Sequence, residues 1–171
     1  MKISVYLASS VNGMISNKRG VPDWLSQEYV QGFFAICQRT QAVIMGKRTY
    51  NILAPDNLPL KSTGTMVVLS HDTTAAPAQS NVLFTDKGPK HVLDTLKARE
   101  SREAVIIGGA QTISEFIKAE LVDELIVVIE PVLFGMGLPM LRDVDLEPKL
   151  TLLDMTQLKQ DTVQLRYGLR Q

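Results

Sequence analysis

Gly108 and Gly109 stand between an apolar run, Ala104 to Ile107, and a segment of helical spacing. Two glycines at a strand-to-helix turn let a ligand come against the main chain, because no Cβ blocks it. The residues that follow, Ala110, Gln111 and Thr112, would offer free N–H groups and the positive end of a peptide dipole to an anion. A bare tight turn uses the same pair, and the full GxGxxG fingerprint is absent. A second turn of this kind is Met45-Gly46-Lys47-Arg48-Thr49. Cations at a helix start oppose its dipole; a phosphate held by Arg and Lys would resolve the conflict, and side chains pointing into water are the other reading. Ser70 and His71 end a third apolar run, where they could touch a nucleotide phosphate or cap a loop.

Proton transfer calls for a titratable group near the reacting atoms. Glu28 is the best placed acid, in the first turn of a helix expected over 26–39; an acid there also simply complements the dipole. Glu130, at the end of a strand, is a second source and an ordered water a third. Tyr29, Phe33 and Phe34 suit either a planar pocket or the core, and Trp24 either a lid or a pin for its loop. Cys37 reads as a small core residue. One cysteine and two histidines exclude a Cys/His zinc site within the chain, and no metal site is expected.

These residues need a frame that gathers strand ends. Apolar strands are expected at 2–8, 42–45, 65–69, 82–84, 104–107 and 125–129. Helices are expected at 26–39, 47–53, 89–100 and 111–119, with a polar surface stretch over 70–81. A loop rich in glycine and proline spans 131–139. Strands at 150–155 and 163–169 then form a hairpin around Asp161. Alternating strands and helices argue for an α/β fold: a mixed, mostly parallel sheet with helices on both faces. Ligands in such sheets bind at the carboxyl ends of the strands, where all three turns fall.

The 171 residues fit one domain, 1–171, with 45% apolar and 21% charged residues. Acids and bases balance at 18 each, so no long-range field draws nucleic acid or anionic membrane. No leader-like start and no apolar run of about 20 residues is present, which suits a cytoplasmic protein.

Three segments together resemble the dihydrofolate reductase-like superfamily: Val43 to Tyr50 its cofactor-binding strand-turn-helix, Val67 to Ser70 its next strand, and Ile106 to Phe116 its Gly-Gly phosphate turn. They lie in the family's order. Ser10 to Ile15 and the loop Pro131 to Pro139 are most similar to the C-terminal reductase domain of the bifunctional riboflavin-biosynthesis deaminase-reductase, in its stand-alone form. The His-x-Glu and Cys-x-x-Cys signature of the deaminase half is not in this sequence. The resemblance implies a single-domain, three-layer fold that binds NADPH. Ala8 and Ile15 would hold the nicotinamide amide. Gly46, Lys47, Arg48 and Thr49 would meet the pyrophosphate and 2′-phosphate, with Ser70 and His71 at the latter. Gly108, Gly109, Ala110, Gln111 and Thr112 would cradle the pyrophosphate, with the Gly108–Gly109 bond cis. The family's folate-reducing acid aligns with Val30, and Asn12 stands where the riboflavin branch often has Asp. Glu28 and Asn12 are therefore the catalytic candidates.

The leading expectation is an NADPH-dependent reductase of a small planar heterocycle, pterin-like or ribosylaminopyrimidine-like. A non-catalytic NADP(H)-binding module is the alternative, supported by the missing acid, and a purely structural or partner-binding domain is a third. Val132 to Leu141 and the last strands would either complete the core or form a homodimer face.

Overall fold

The computed structural model describes residues 1–74 and 76–169; the surface stretch expected over 70–81 therefore includes one position, 75, outside the described residues. Six strands run parallel: β1 (Lys2–Ser10), β3 (Ala42–Gly46), β4 (Thr65–Leu69), β5 (Val82–Thr85), β6 (Glu103–Ile106) and β7 (Glu124–Glu130). The terminal strands β9 (Thr151–Lys159) and β10 (Thr162–Gly168) add antiparallel beside β7. The sheet order is β5-β4-β3-β6-β1-β7-β10-β9. This is the mixed, mostly parallel sheet expected from the apolar runs.

The parallel strands are buried on both faces, and side chains of opposite pleat build two separate cores. On one face Tyr6, Val43, Met45 and Val105 pack against Tyr29, Phe33, Ile36 and Cys37 of helix α1 (Gln27–Thr40). On the other, Ile3, Val5, Ile44 and Ile106 meet Val92 and Leu96 of α3 (Pro89–Lys97) and Ile113, Phe116 and Ile117 of α4 (Ala110–Lys118). The result is three layers. Helix α1 is also tied to β1 directly. Tyr6 and Tyr29 stack at 5.3 Å, and the Tyr6 hydroxyl donates to the Tyr29 carbonyl at 3.1 Å.

Two short elements escape the sequence patterns. Met14–Asn17 (β2) and Gly137–Pro139 (β8) pair as a small antiparallel ribbon. Neither has strand periodicity, and each becomes a strand only by meeting the other. Helix α3 stops at Lys97, three residues short of the expected end; Glu100 follows at φ 61°, a conformation no helix admits. The last hairpin turns at Gln160-Asp161, with β9 running four residues past its expected end. Strand β9 is the sheet's outer edge and exposes Leu152, Leu153 and Met155. No helix among the described residues is long and apolar enough to cross a membrane.

Candidate functional site

The order of the sheet changes direction between β3 and β1, with β6 inserted between them, so the crevice at their carboxyl ends is the natural ligand site. There the two turns are joined. The Gly46 N–H donates to the Gly108 carbonyl at 2.9 Å, and the Ile107 N–H to the Ile44 carbonyl at 3.0 Å. The approach is close enough to require glycine. A Cβ on Gly46 would stand 2.9 Å from the Thr112 Oγ1. Gly108 has φ +124°, which side-chain-bearing residues rarely adopt. The Gly108–Gly109 bond is cis, as the resemblance implied.

Helix α4 starts at this turn with no side chain capping it, so its first N–H groups face the crevice. Helix α2 (Lys47–Leu53) carries Lys47, Arg48 and Thr49 to the opposite wall. The Lys47 ammonium lies over the Phe84 ring, 4.3 Å from its centre, and 5.3 Å from that of Tyr50. Arg48 has no ion-pair partner among the described residues. The Ser70 hydroxyl donates to the Asp72 carbonyl at 2.9 Å and accepts from its N–H at 3.1 Å.

The crevice has two halves. One, of about 480 Å³, is lined by Gly46, Lys47, Arg48, Ser70, His71 and Gly109 to Thr112. The other, of about 410 Å³, is lined by Ala8, Ile15, Arg48, Thr49, Gly108 and Gly109 and walled by Trp24, Tyr29, Val30, Phe33 and Phe34. Arg48, Gly109 and Leu138 line both. Every residue singled out for the cofactor therefore faces one continuous cleft, polar at one end and apolar at the other.

Several lining residues were missed, among them Asp86, Lys87, Gly88 and Arg142. Asp86, Lys87 and Gly88 follow β5 and belong to the polar half. Lys87 stands at a strand's carboxyl end, so the rule that singled out Ser70 could have found it. Arg142 lies near the cleft only because its N–H donates to the buried Ser114 hydroxyl at 2.8 Å, a tertiary contact without a local signal.

The two catalytic candidates are not brought to the cleft. Glu28 projects from α1 toward β9, 3.2 Å from the Lys159 ammonium, and is absent from both linings. Its own backbone N–H, and then Lys159, hold its carboxyl below the ordinary range. An acid so held is ionised at neutral pH and has no proton to give. The half-turn offset decides this: Val30 faces the pocket and Glu28 does not. Asn12 is a brace. Its amide donates to the Phe134 carbonyl at 2.8 Å, and its oxygen accepts from Ser10 Oγ and the Phe134 N–H at 2.8 and 3.2 Å. Phe134 in turn meets the Trp24 ring edge-on at 5.1 Å. Asn12 thus acts on the pocket wall at second hand.

Glu130 has a clear structural part. It is 1% exposed, and its Oε1 accepts both the Ser26 N–H at 3.0 Å and the Ser26 hydroxyl at 2.8 Å. Ser26 is the N-cap of α1, accepting from the Tyr29 N–H at 3.1 Å. A capping box draws its acid from the same helix; here β7 supplies it from 104 residues away. Among the described residues no group of three or more His, Cys, Asp or Glu could hold a metal ion.

Residues 1–164 match the RibD C-terminal domain family. The chain is 31% identical to the uncharacterized protein YwjB of Bacillus subtilis (strain 168) over 172 residues, covering 97% of each. Its fold is similar to that of a putative riboflavin biosynthesis protein from Shewanella sp. PV-4, with TM-score 0.83, 23% identity and all of both chains covered. It is similar too to a diaminohydroxyphosphoribosylaminopyrimidine deaminase/5-amino-6-(5-phosphoribosylamino)uracil reductase from Thermotoga maritima, with TM-score 0.79 and 17% identity; the match covers 99% of this chain and 56% of that one. On the family match over residues 1–164 and the 31% identity over nearly the whole chain, this chain belongs to the RibD C-terminal domain family.

Proposed function

We propose that the protein is an NADPH-dependent reductase of a small planar heterocycle. The observation that carries this reading is the cleft itself: two glycine-lined strand ends locked together, with Arg48, which has no ion pair among the described residues, where a polar half meets an apolar one. The fit to a dinucleotide phosphate rests on the Cβ-free main chain of Gly46, Gly108 and Gly109 along the cleft, and on the Thr49 and Thr112 hydroxyls beside it. NADPH, when bound, supplies a hydride at its nicotinamide ring.

The chain's own residues do the rest. The uncapped start of α4 and the Arg48 guanidinium attract phosphate. Lys47, Ser70, His71 and Lys87 line the far end, where an adenosine 2′-phosphate would distinguish NADPH from NADH. Main-chain groups at Ala8 and Ile15 orient the nicotinamide amide. Trp24, Tyr29, Phe33 and Phe34 exclude water from the reacting face. With Glu28 and Asn12 outside the lining, the proton comes from solvent.

That last point also favours the second reading, a module that binds NADP(H) without turning it over. Loss of NADPH absorbance with a panel of pteridines and aminouracils separates the two. Turnover with any of them supports the reductase; NADPH binding without turnover across the panel supports the module.

A further inference from the structure

We propose that the ring bound in the apolar half carries neither a phosphate nor a strongly basic group: it is a neutral, planar heterocycle. This rests on the reductase reading and narrows its substrate. Among the described residues this half is lined by one cation, Arg48, and by no carboxylate or histidine. Arg48 is also shared with the nucleotide half. Its guanidinium sits at the junction, where a Cβ on Gly20 would lie 2.7 Å from Nη2. A cofactor phosphate claims that charge first.

A second phosphate would then enter an apolar space without a counter-ion, which is strongly unfavourable. The start of α1 gives no help. Ser26 Oγ already takes the Tyr29 N–H, and the Glu130 carboxylate takes the Ser26 N–H. A protonated, amidine-like ring edge fares no better. It needs a facing carboxylate, yet α1 presents Val30 and turns Glu28 onto Lys159. What remains is ring faces: Tyr29 and Phe33 lie 6.2 Å apart at 31°, and Phe34 meets Phe33 edge-on at 5.2 Å. Such walls reward a flat, uncharged ring. The phosphoribosyl group in the name of the Thermotoga maritima protein has no equivalent partner in this half.

The test uses the full chain saturated with NADPH and reads Trp24, its single tryptophan. The probes are lumazine, 5-amino-6-(ribosylamino)uracil and the 5′-phosphate of the latter. The expected result is quenching by lumazine and by the unphosphorylated uracil, with the 5′-phosphate at least tenfold weaker. Val30→Arg, on the exposed part of α1, should narrow that gap by adding a cation to the wall. Equal or tighter binding of the 5′-phosphate with NADPH bound overturns the inference and leaves the reductase reading standing. So does failure of all three probes to bind the NADPH-loaded protein, or a Val30→Arg gap equal to wild type. Failure of NADPH itself to bind removes the reductase reading and this inference together.

Discussion

Replacing Glu130 with alanine should loosen the start of α1 and with it the wall of the apolar half. The carboxylate is 1% exposed and accepts two hydrogen bonds on one oxygen. A hydrogen bond to a charged acceptor contributes about 1.5–3 kcal/mol, and a buried donor left without a partner costs about 1–3 kcal/mol. Both donors belong to Ser26, which is half-buried, so water can reach one of them after the change. The expected loss is therefore about 2–4 kcal/mol. Glu130→Gln keeps a carbonyl oxygen for the same donors and should lose only about 1 kcal/mol. Ser26→Ala alone should cost about 1 kcal/mol as a lost N-cap. Urea unfolding of the singles and of the double variant gives the coupling, which should exceed about 1 kcal/mol because the two side chains touch. An alanine variant within about 0.5 kcal/mol of wild type, or strict additivity of the two changes, would refute the idea that β7 caps α1.

Gly46→Ala should weaken NADPH binding more than tenfold in a titration while lowering stability by about 1–3 kcal/mol, since its Cβ would stand 2.9 Å from Thr112 Oγ1 and force that side chain aside. Glu28→Gln should leave turnover within about twofold of wild type, because Glu28 faces Lys159; a loss of tenfold or more would return it to the reaction. Cys37 is fully buried, and burial pushes its thiol up from 9.0 to about 12. The folded state holds this proton more tightly than the unfolded state, so the stabilisation is complete below pH 9 and declines between pH 9 and about 12. Unfolding midpoints measured through that window should fall with pH more steeply for wild type than for Cys37→Ala. Native protein should also resist a disulfide-exchange thiol reagent until denatured.

Much of the cleft was legible because its signals are local. Gly46, Lys47 and Arg48 follow one apolar run, and Gly108 and Gly109 another, so the strand-end rule gathers them from the sequence alone. The buried stripes of α1 and α4 follow from 3.6-residue spacing for the same reason. What failed to show depends on long-range partners. The β2–β8 ribbon joins segments more than 100 residues apart, and neither has a pattern of its own. Arg142 is held by Ser114 and Asn12 by Phe134, contacts no spacing rule reaches. The orientation of Glu28 turned on a two-residue offset from Val30, which the sequence displayed but only the packing of α1 against β1 resolves.

Titration of NADPH and NADH into the apo protein, followed by Trp24 fluorescence in wild type and in Arg48→Ala, tests the central claim most directly. Binding of NADPH at least tenfold tighter than NADH, lost in Arg48→Ala with the fold intact, is the expected result. No binding of either nucleotide, or equal binding unaffected by Arg48→Ala, would contradict the assignment of this cleft to a phosphorylated dinucleotide.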